Sequence, residues 1–230
     1  MKLSIIIPCY NEDKTILEIL RKIEAVNLGS IEKEIIIIDD GSNQQTKDVL
    51  KSLKDKYLII FLPKNFGKGY ALRQGFKQAS GDIILIQDAD LELDPQNYNS
   101  LIRPILNKET EVVYGSRYLN TKNDWHNNSL NFFCVKFLTF ITNFLYRSHI
   151  TDEATCYKVF RASLLKSIPL NCYGFEFCLE VTAKILKKKI KIKEVPINYY
   201  PRTIDQGKKV KIRDGFIALW TLIKYRFFYD

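Results

Sequence analysis

The chain has 230 residues, of which 46% are apolar and 27% charged, and 35 Lys and Arg against 26 Asp and Glu give a formal net charge of +9. This composition excludes a disordered chain, a collagen-like repeat and a coiled coil, because there is enough apolar surface to offset chain entropy in one core. The basic excess lies in residues 184–213, and it indicates an anionic partner such as phosphate, nucleic acid or an acidic membrane. Solvated lysines at a helix end are the alternative for the run at 187–189.

Short aliphatic runs alternate with helical patterns in the first half of the chain. The predicted strands are 3–7, 34–38, 58–62, 82–86 and 112–114, and the predicted helices are 13–26, 44–55, 68–79 and 95–106. This alternation predicts an α/β fold with a mostly parallel sheet flanked by helices. Ligands of such sheets bind beyond the carboxyl ends of the strands, so the polar residues that follow each strand are the candidate site.

The second predicted strand is followed by two acidic residues, Asp39 and Asp40. A carboxylate there can accept hydrogen bonds from a nucleobase or from ribose hydroxyls. Helix capping by Ser42 or Asn43 accounts for the end of this loop but not for the two aspartates. The next loop, 65–71, fits neither the P-loop pattern nor the dinucleotide-binding glycine pattern, although Lys68 and the exposed N–H groups can meet phosphate.

The fourth predicted strand leads into Asp88-Ala89-Asp90. Two carboxylates so close together repel each other, and a divalent cation neutralises them. All-oxygen ligation favours Mg²⁺ or Mn²⁺, which complete their coordination with substrate phosphates, so the pair is a candidate holder of a diphosphate. The alternative is an exposed turn in which Asp94 caps the next helix.

Two segments of the second half combine aromatic and basic residues, at about 129–147 and 214–229. In the first, Lys136, Thr139, Asn143 and Arg147 form a narrow polar stripe on an otherwise apolar helix. Such amphipathic helices either lie in a membrane interface or are buried, and the sequence favours the interface. No apolar run reaches the roughly 20 residues that span a bilayer.

The motifs together carry a resemblance that each alone does not. They are Pro-x-Tyr-Asn-Glu at 8–12, Asp-Asp-Gly-Ser at 39–42, Asn-x-Gly-x-Gly-x-Ala at 65–71, Asp-x-Asp at 88–90 and Gly-Ser-Arg at 115–117, followed by the segments 152–161, 174–180, 194–197 and 201–209. This order and spacing resemble the family 2 glycosyltransferases with a GT-A fold, and within them the dolichyl- or polyprenyl-phosphate sugar synthases. The expected organisation is one domain, with a nucleotide-sugar-binding half at 1–117 and an acceptor half at 118–230.

The resemblance implies roles for individual residues. The nucleotide-sugar donor would be held by Pro8, Tyr10, Glu12, Asp39, Asp40, Lys68, Asp88, Ala89 and Asp90. The Mg²⁺ or Mn²⁺ ion would be held by Asp88 and Asp90, with Glu92 as a further oxygen ligand. Donor diphosphate or acceptor phosphate would be met by Arg117, Arg202 and Lys208.

The expected reaction is direct displacement of a nucleoside diphosphate from a sugar by a polyprenyl phosphate, with inversion at the anomeric carbon. If the acceptor were a hydroxyl, Asp152 is the candidate base, or else it caps the next strand. The enzyme is expected at the cytoplasmic face of an anionic membrane. Nucleic acid is not an expected partner, and a separate membrane partner protein is left open. A saccharide-hydroxyl acceptor, a non-catalytic nucleotide-sugar-binding subunit and a nucleic-acid-binding module are the alternatives.

Overall fold

One seven-stranded sheet forms the centre of the computed structural model, which describes residues 1–120, 130–202 and 212–228. The strands are β1 (Lys2–Cys9), β2 (Glu32–Asp39), β3 (Leu58–Phe61), β4 (Ile83–Ile86), β5 (Val112–Ser116), β6 (Lys158–Arg161) and β7 (Ile192–Pro196). Their order is β3-β2-β1-β4-β6-β5-β7, and β6 alone runs antiparallel to its neighbours. The prediction of a mostly parallel sheet is confirmed.

Eight α-helices are described around this sheet. They are α1 (Ile16–Ala25), α2 (Gln44–Lys51), α3 (Lys68–Gln78), α4 (Tyr98–Leu106), α5 (Leu130–Tyr146), α6 (Ala162–Ser167), α7 (Phe177–Lys187) and α8 (Ile212–Phe227). Apolar side chains cover both faces of the sheet, because alternate residues of β1 belong to different clusters: Ile6 packs on one face, and Ile5 and Ile7 on the other.

Local hydrogen bonds shift the predicted start of two helices. Residues 12–15 form a turn in which the backbone oxygen of Glu12 accepts from the N–H groups of Thr15 and Ile16, so α1 begins at Ile16. The segment Pro95–Asn97 is a 3₁₀ turn in which the Asp94 carboxylate accepts from the N–H of Gln96, and α4 follows it. The interpretation of Asp94 as a cap is therefore confirmed.

The second half of the chain contributes β6 and β7 to the same sheet rather than forming a sheet of its own. Strand β6 lies between β4 and β5, so residues 158–161 complete the core of the first half. The division at residue 117 therefore does not correspond to two separately packed cores, and the assignment of donor and acceptor halves stays a prediction.

Helices α5 and α8 pack against each other on one side of the molecule, where the Tyr146 hydroxyl donates to the backbone oxygen of Leu222 at 2.7 Å. Helix α5 falls within the first segment predicted to be amphipathic, 129–147, and α8 overlaps the second, 214–229. Within the described residues, neither these nor any other helix is long and apolar enough to cross a membrane.

Candidate active site

The carboxyl ends of three neighbouring parallel strands, β2, β1 and β4, meet at one edge of the sheet. Asp39 ends β2, Glu12 follows β1, and Asp88 and Asp90 follow β4. The predicted acidic residues thus come from separate parts of the chain to the same edge. Pro8 and Tyr10 are partly exposed there, whereas Ala89 is buried and its methyl group packs in the core.

The guanidinium of Arg202 joins three of these carboxylates. Its Nη2 lies 2.8 Å from Asp90 Oδ2, its Nη1 lies 3.2 Å from Glu12 Oε2, and its Nε lies 3.7 Å from Glu92 Oε1. The backbone N–H of Arg202 also donates to Glu92. The positive φ of Leu91, +64°, places a left-handed turn between Asp90 and Glu92, a conformation that costs energy for leucine and that occurs often at functional sites.

Asp88 has a different partner. The Lys68 ammonium, at the start of α3, lies 2.5 Å from Asp88 Oδ1 and donates to Cys156 Sγ at 3.1 Å. Burial is the largest single influence and would raise the pKa of Asp88, but the Lys68 charge, the hydrogen bonds from Cys156 and Lys68 and the Arg202 charge together lower it. Lys68 therefore binds the carboxylate that the sequence assigned to the metal.

Asp90 lies close to the negative charges of two other carboxylates, Asp88 and Glu92. Burial, followed by the charges of Asp88 and Glu92, raises the pKa of Asp90 to about 7 in spite of the neighbouring Arg202. Among the described residues this cluster holds four carboxylates and two cations, a formal excess of two negative charges. A site with this excess of negative charge attracts a divalent cation or other positively charged groups.

The aspartates after β2 organise the next loop. Asp40 accepts hydrogen bonds from the backbone N–H groups of Phe66 and Gly67, both at 2.8 Å. Asp39 is fully buried, and its Oδ2 has no hydrogen-bond donor among the described residues. Asn43 caps α2, which confirms that part of the alternative interpretation, while the Ser42 hydroxyl accepts from the N–H of Asn11.

A second ion pair lies at the end of β5. Arg117 donates from Nε and Nη2 to the two oxygens of Asp152, both at 2.7 Å, and its backbone N–H donates to the same carboxylate. Asp152 is fully buried, and its own N–H donates to Glu194. Asp152, the candidate base, thus binds Arg117, a candidate phosphate-binding residue. The third candidate phosphate-binding residue, Lys208, lies outside the described residues.

The predicted metal ligands have the chemistry of a divalent-cation site but, in the part of the chain that the structure describes, not its arrangement. Asp88, Asp90 and Glu92 form the all-oxygen donor set that suits Mg²⁺ or Mn²⁺, and their excess charge suits a divalent ion. In the described residues, however, no three His, Cys, Asp or Glu side chains converge as a metal cluster. Lys68 and Arg202 bind these carboxylates instead, and the ligand roles stay predictions.

Three contributors to the site were not identified from the sequence. The Cys156 sulfur accepts a hydrogen bond from the Lys68 ammonium. Glu194 accepts from the N–H groups of Thr151 and Asp152. Gln87 donates to the backbone oxygen of Asp88 and so supports the acidic segment. Cys156 and Glu194 lie in the motif segments 152–161 and 194–197, and Gln87 is a polar residue directly after the aliphatic run 83–86, but none of the three was assigned a role.

A mixed sheet with acidic residues at its strand ends, flanked by helices on both faces, is the architecture of the GT-A glycosyltransferases, and solved structures of that class match the chain. Glucosyl-3-phosphoglycerate synthase from Mycobacterium tuberculosis, in complex with Mn²⁺, UDP and phosphoglyceric acid, superposes with a TM-score of 0.76 at 18% identity, covering 100% of this chain and 80% of that one. The same enzyme with Mg²⁺ and UDP gives a TM-score of 0.75, also at 18% identity, covering 100% and 80% of the two chains. The predicted GT-A fold is confirmed.

The chain belongs to glycosyl transferase family 2, whose family model matches residues 4–168. It is 30% identical to a UDP-N-acetylglucosamine–dolichyl-phosphate N-acetylglucosaminyltransferase of Methanococcus voltae, covering 95% of this chain and 94% of that protein. It is also 29% identical to a dolichol-phosphate mannosyltransferase of Pyrococcus furiosus over 90% of this chain, although it spans only 59% of that relative's length. The predicted family is confirmed.

Proposed function

We propose that this protein is an inverting glycosyltransferase that moves a sugar from a nucleotide-diphospho-sugar to a polyprenyl phosphate at a membrane surface. The two relatives above are named for transfer to dolichol or dolichyl phosphate. The observation that carries the proposal is the convergence of Glu12, Asp90 and Glu92 on Arg202 at the sheet edge where the strands β1 and β4 end.

The donor would occupy this edge of the sheet. The Oδ2 of Asp39, which is buried and accepts no hydrogen bond from the described residues, supports a nucleoside contact there. Asp40 holds the loop that carries Lys68. Pro8 and Tyr10 border the same position. Mg²⁺ or Mn²⁺, held by Asp90 with Asp88 and Glu92, would supply positive charge to the diphosphate.

The chemical step needs little from a base. An oxygen of the acceptor phosphate forms a bond to the anomeric carbon while the bond from that carbon to the nucleoside diphosphate breaks, and the electron pair leaves with the diphosphate. A phosphate monoester has a second pKa near roughly 6 and is therefore already a nucleophile at neutral pH. Arg202 and Lys68 are the cations placed to stabilise the departing charge.

Helix α5 supports a lipid acceptor because its apolar side chains face outward and its polar side chains face the protein, the reverse of a helix on a water-exposed surface. Phe133, Phe137, Phe140 and Phe144 are each more than half exposed, at spacings of four, three and four residues. The polar residues face the protein instead: Thr139 accepts from the N–H of Glu153, and Asn143 donates to the backbone oxygen of Ile150. An outward apolar face of this kind fits a membrane interface.

Helix α8 extends this surface. Phe216, Trp220 and Phe227 are each more than half exposed on the helix that packs beside α5. Aromatic residues next to Lys224 and Arg226 are suited to the headgroup region of an anionic membrane. We therefore place the enzyme at the cytoplasmic face of such a membrane, alone or with a membrane partner protein.

Sugar transfer from radiolabelled donors tests the proposal. The protein is incubated with Mn²⁺ and GDP-mannose, UDP-glucose or UDP-N-acetylglucosamine, together with undecaprenyl phosphate, dolichyl phosphate or an oligosaccharide. We expect label in the organic phase with the wild-type protein. Asp90→Asn should abolish this label, and the control Asp48→Asn, at an exposed position, should retain it.

Two outcomes would contradict it. Label found only on the oligosaccharide would assign the protein to hydroxyl acceptors. Donor binding without turnover with any acceptor would assign it to the non-catalytic nucleotide-sugar-binding class.

A further inference from the structure

Lys136 is the only charged residue in the sequence of α5, the helix that carries the exposed phenylalanines. Phe133 and Phe137 flank it on the helix and are exposed. The Lys136 ammonium lies 3.5 Å from the centre of the Tyr118 ring. Tyr118 directly follows Arg117 in the chain. The side chain therefore turns away from the outward face and toward the end of β5.

The surroundings of Lys136 leave its positive charge available. It forms no ion pair with a carboxylate in the described part of the chain, in contrast to Lys68, Arg117 and Arg202. Partial burial lowers the pKa of Lys136, and the more distant charges of Asp152 and Glu194 offset this only in part. Burying an ammonium without a direct counterion costs free energy, which an anionic ligand would recover.

An amphiphilic acceptor requires an apolar surface and a cation side by side. Its isoprenoid chain needs the aromatic face, and its phosphate must reach the site with up to two negative charges. Building on the function proposed above, we propose that Lys136 binds the phosphate of the polyprenyl-phosphate acceptor, at the junction of the α5 aromatic face and the Arg117–Asp152 pair.

Lys68, Arg117 and Arg202, the other cations that the structure describes in the site, are already bound to carboxylates. Both Asp152 oxygens accept from Arg117, and Arg202 is shared among Glu12, Asp90 and Glu92. Lys136 differs because its contact is a ring, and a phosphate can approach the remaining N–H groups of the ammonium without displacing a carboxylate.

Steady-state kinetics with Lys136→Gln test the inference. A lost charge-assisted hydrogen bond to phosphate should raise the KM for polyprenyl phosphate about ten-fold or more. The KM for the nucleotide sugar should stay within two-fold, and Lys136→Arg should restore most of the acceptor affinity. Lys54→Gln is the matched control, since Lys54 is exposed and also lies over an aromatic ring, Phe61 at 4.9 Å, on β3, an edge strand that four strands separate from β5.

Direct titration with farnesyl phosphate and with farnesol measures the same contact without turnover. Wild type should prefer the phosphate, and Lys136→Gln should lose about ten-fold of that preference. No phosphate preference in wild type, equal preference in the variant, or equal rises in both KM values would overturn the role of Lys136. Failure of the proposed function is a separate result, because it shows in wild type as absence of lipid-linked product.

Discussion

The geometry of Asp152 favours a positioning role over that of a base. Both of its oxygens accept hydrogen bonds from Arg117, and the side chain has no exposed surface. A base must reach the proton that it removes, whereas a buried bidentate partner fixes the plane of a guanidinium. Glu194 in turn fixes the backbone of Thr151 and Asp152.

Substitution Asp152→Asn separates the two roles. If Asp152 orients Arg117, kcat should fall roughly 10- to 100-fold, on the scale of one lost charged contact, by the same factor at every pH. If it is a base, the acidic limb of the pH–rate profile should disappear. The measurement is kcat against pH for both proteins, with thermal unfolding to confirm that the variant is folded. A changed profile shape would contradict the positioning role.

Glu153 makes stability depend on pH. Its side chain is fully buried, and the ammonium of Lys158 donates to its backbone oxygen rather than pairing with the carboxylate. Burial raises the pKa of Glu153 from its ordinary value of 4.5 to about 7, and the charge of Lys158 opposes this only in part. Because the folded-state pKa exceeds the unfolded one, the stabilisation is complete below pH 4.5 and is lost as pH rises through about 7.

The variant Glu153→Gln should therefore flatten this pH dependence. The wild-type free energy of unfolding should fall by up to about 3 kcal/mol more than that of the variant between pH 4.5 and 7.5. Urea unfolding at several pH values measures it, and the exposed Glu32→Gln serves as control. Parallel curves for wild type and Glu153→Gln would show that this carboxyl is not the titrating group.

At the scale of elements, the outward face of α5 should govern attachment to membranes. Replacing Phe137 and Phe140 together by serine removes two exposed aromatic side chains without opening the core. Flotation with anionic vesicles should recover several-fold less of this variant than of wild type, because interfacial binding scales with buried apolar area. Leu17→Ser, at an exposed apolar position on α1, should float as wild type does. Unchanged flotation of the double variant would remove α5 from the membrane contact.

The elements of the first half could be predicted because their sequence patterns are local. Runs such as 35–38 are aliphatic throughout and are followed by acidic residues, so both the strand and its polar end were visible. Strand β6 was not predicted, because Lys158 and Arg161 interrupt its apolar pattern. In the structure the Lys158 ammonium donates to the backbone oxygen of Glu153, and Arg161 donates to that of Ile105. Strand β7 was hidden for the same reason, by Lys193 and Glu194.

At the scale of the whole molecule, the sequence located the acidic side chains of the site but not their partners. The topology brings Glu12 and Asp90 together, which the parallel-sheet rule anticipates. The pairs Lys68–Asp88 and Arg117–Asp152 join residues 20 and 35 positions apart, and no local pattern specifies such contacts. The direction in which α5 turns its polar stripe was equally inaccessible, since it depends on what packs against the helix.

The charge balance of the whole site gives a prediction about cations. Arg202→Gln removes one of the two cations that neutralise the carboxylates around Asp90. Its Tm without metal should fall, because carboxylates lose their partner, and Mn²⁺ alone should then raise its Tm more than that of wild type. Nucleoside diphosphate with Mn²⁺ should stabilise wild type further but add little to the variant, because the guanidinium that would meet the diphosphate is gone.

Thermal unfolding against Mn²⁺ concentration, with and without UDP or GDP, provides the measurement. Arg161→Gln is the control, since Arg161 contacts the backbone oxygen of Ile105 at the opposite end of the strands. If Mn²⁺ shifted neither protein, the surplus negative charge at the sheet edge would be balanced by protonation of Asp90, whose pKa of about 7 permits it, and not by a divalent ion. If it shifted both equally, Arg202 and the ion would occupy separate positions.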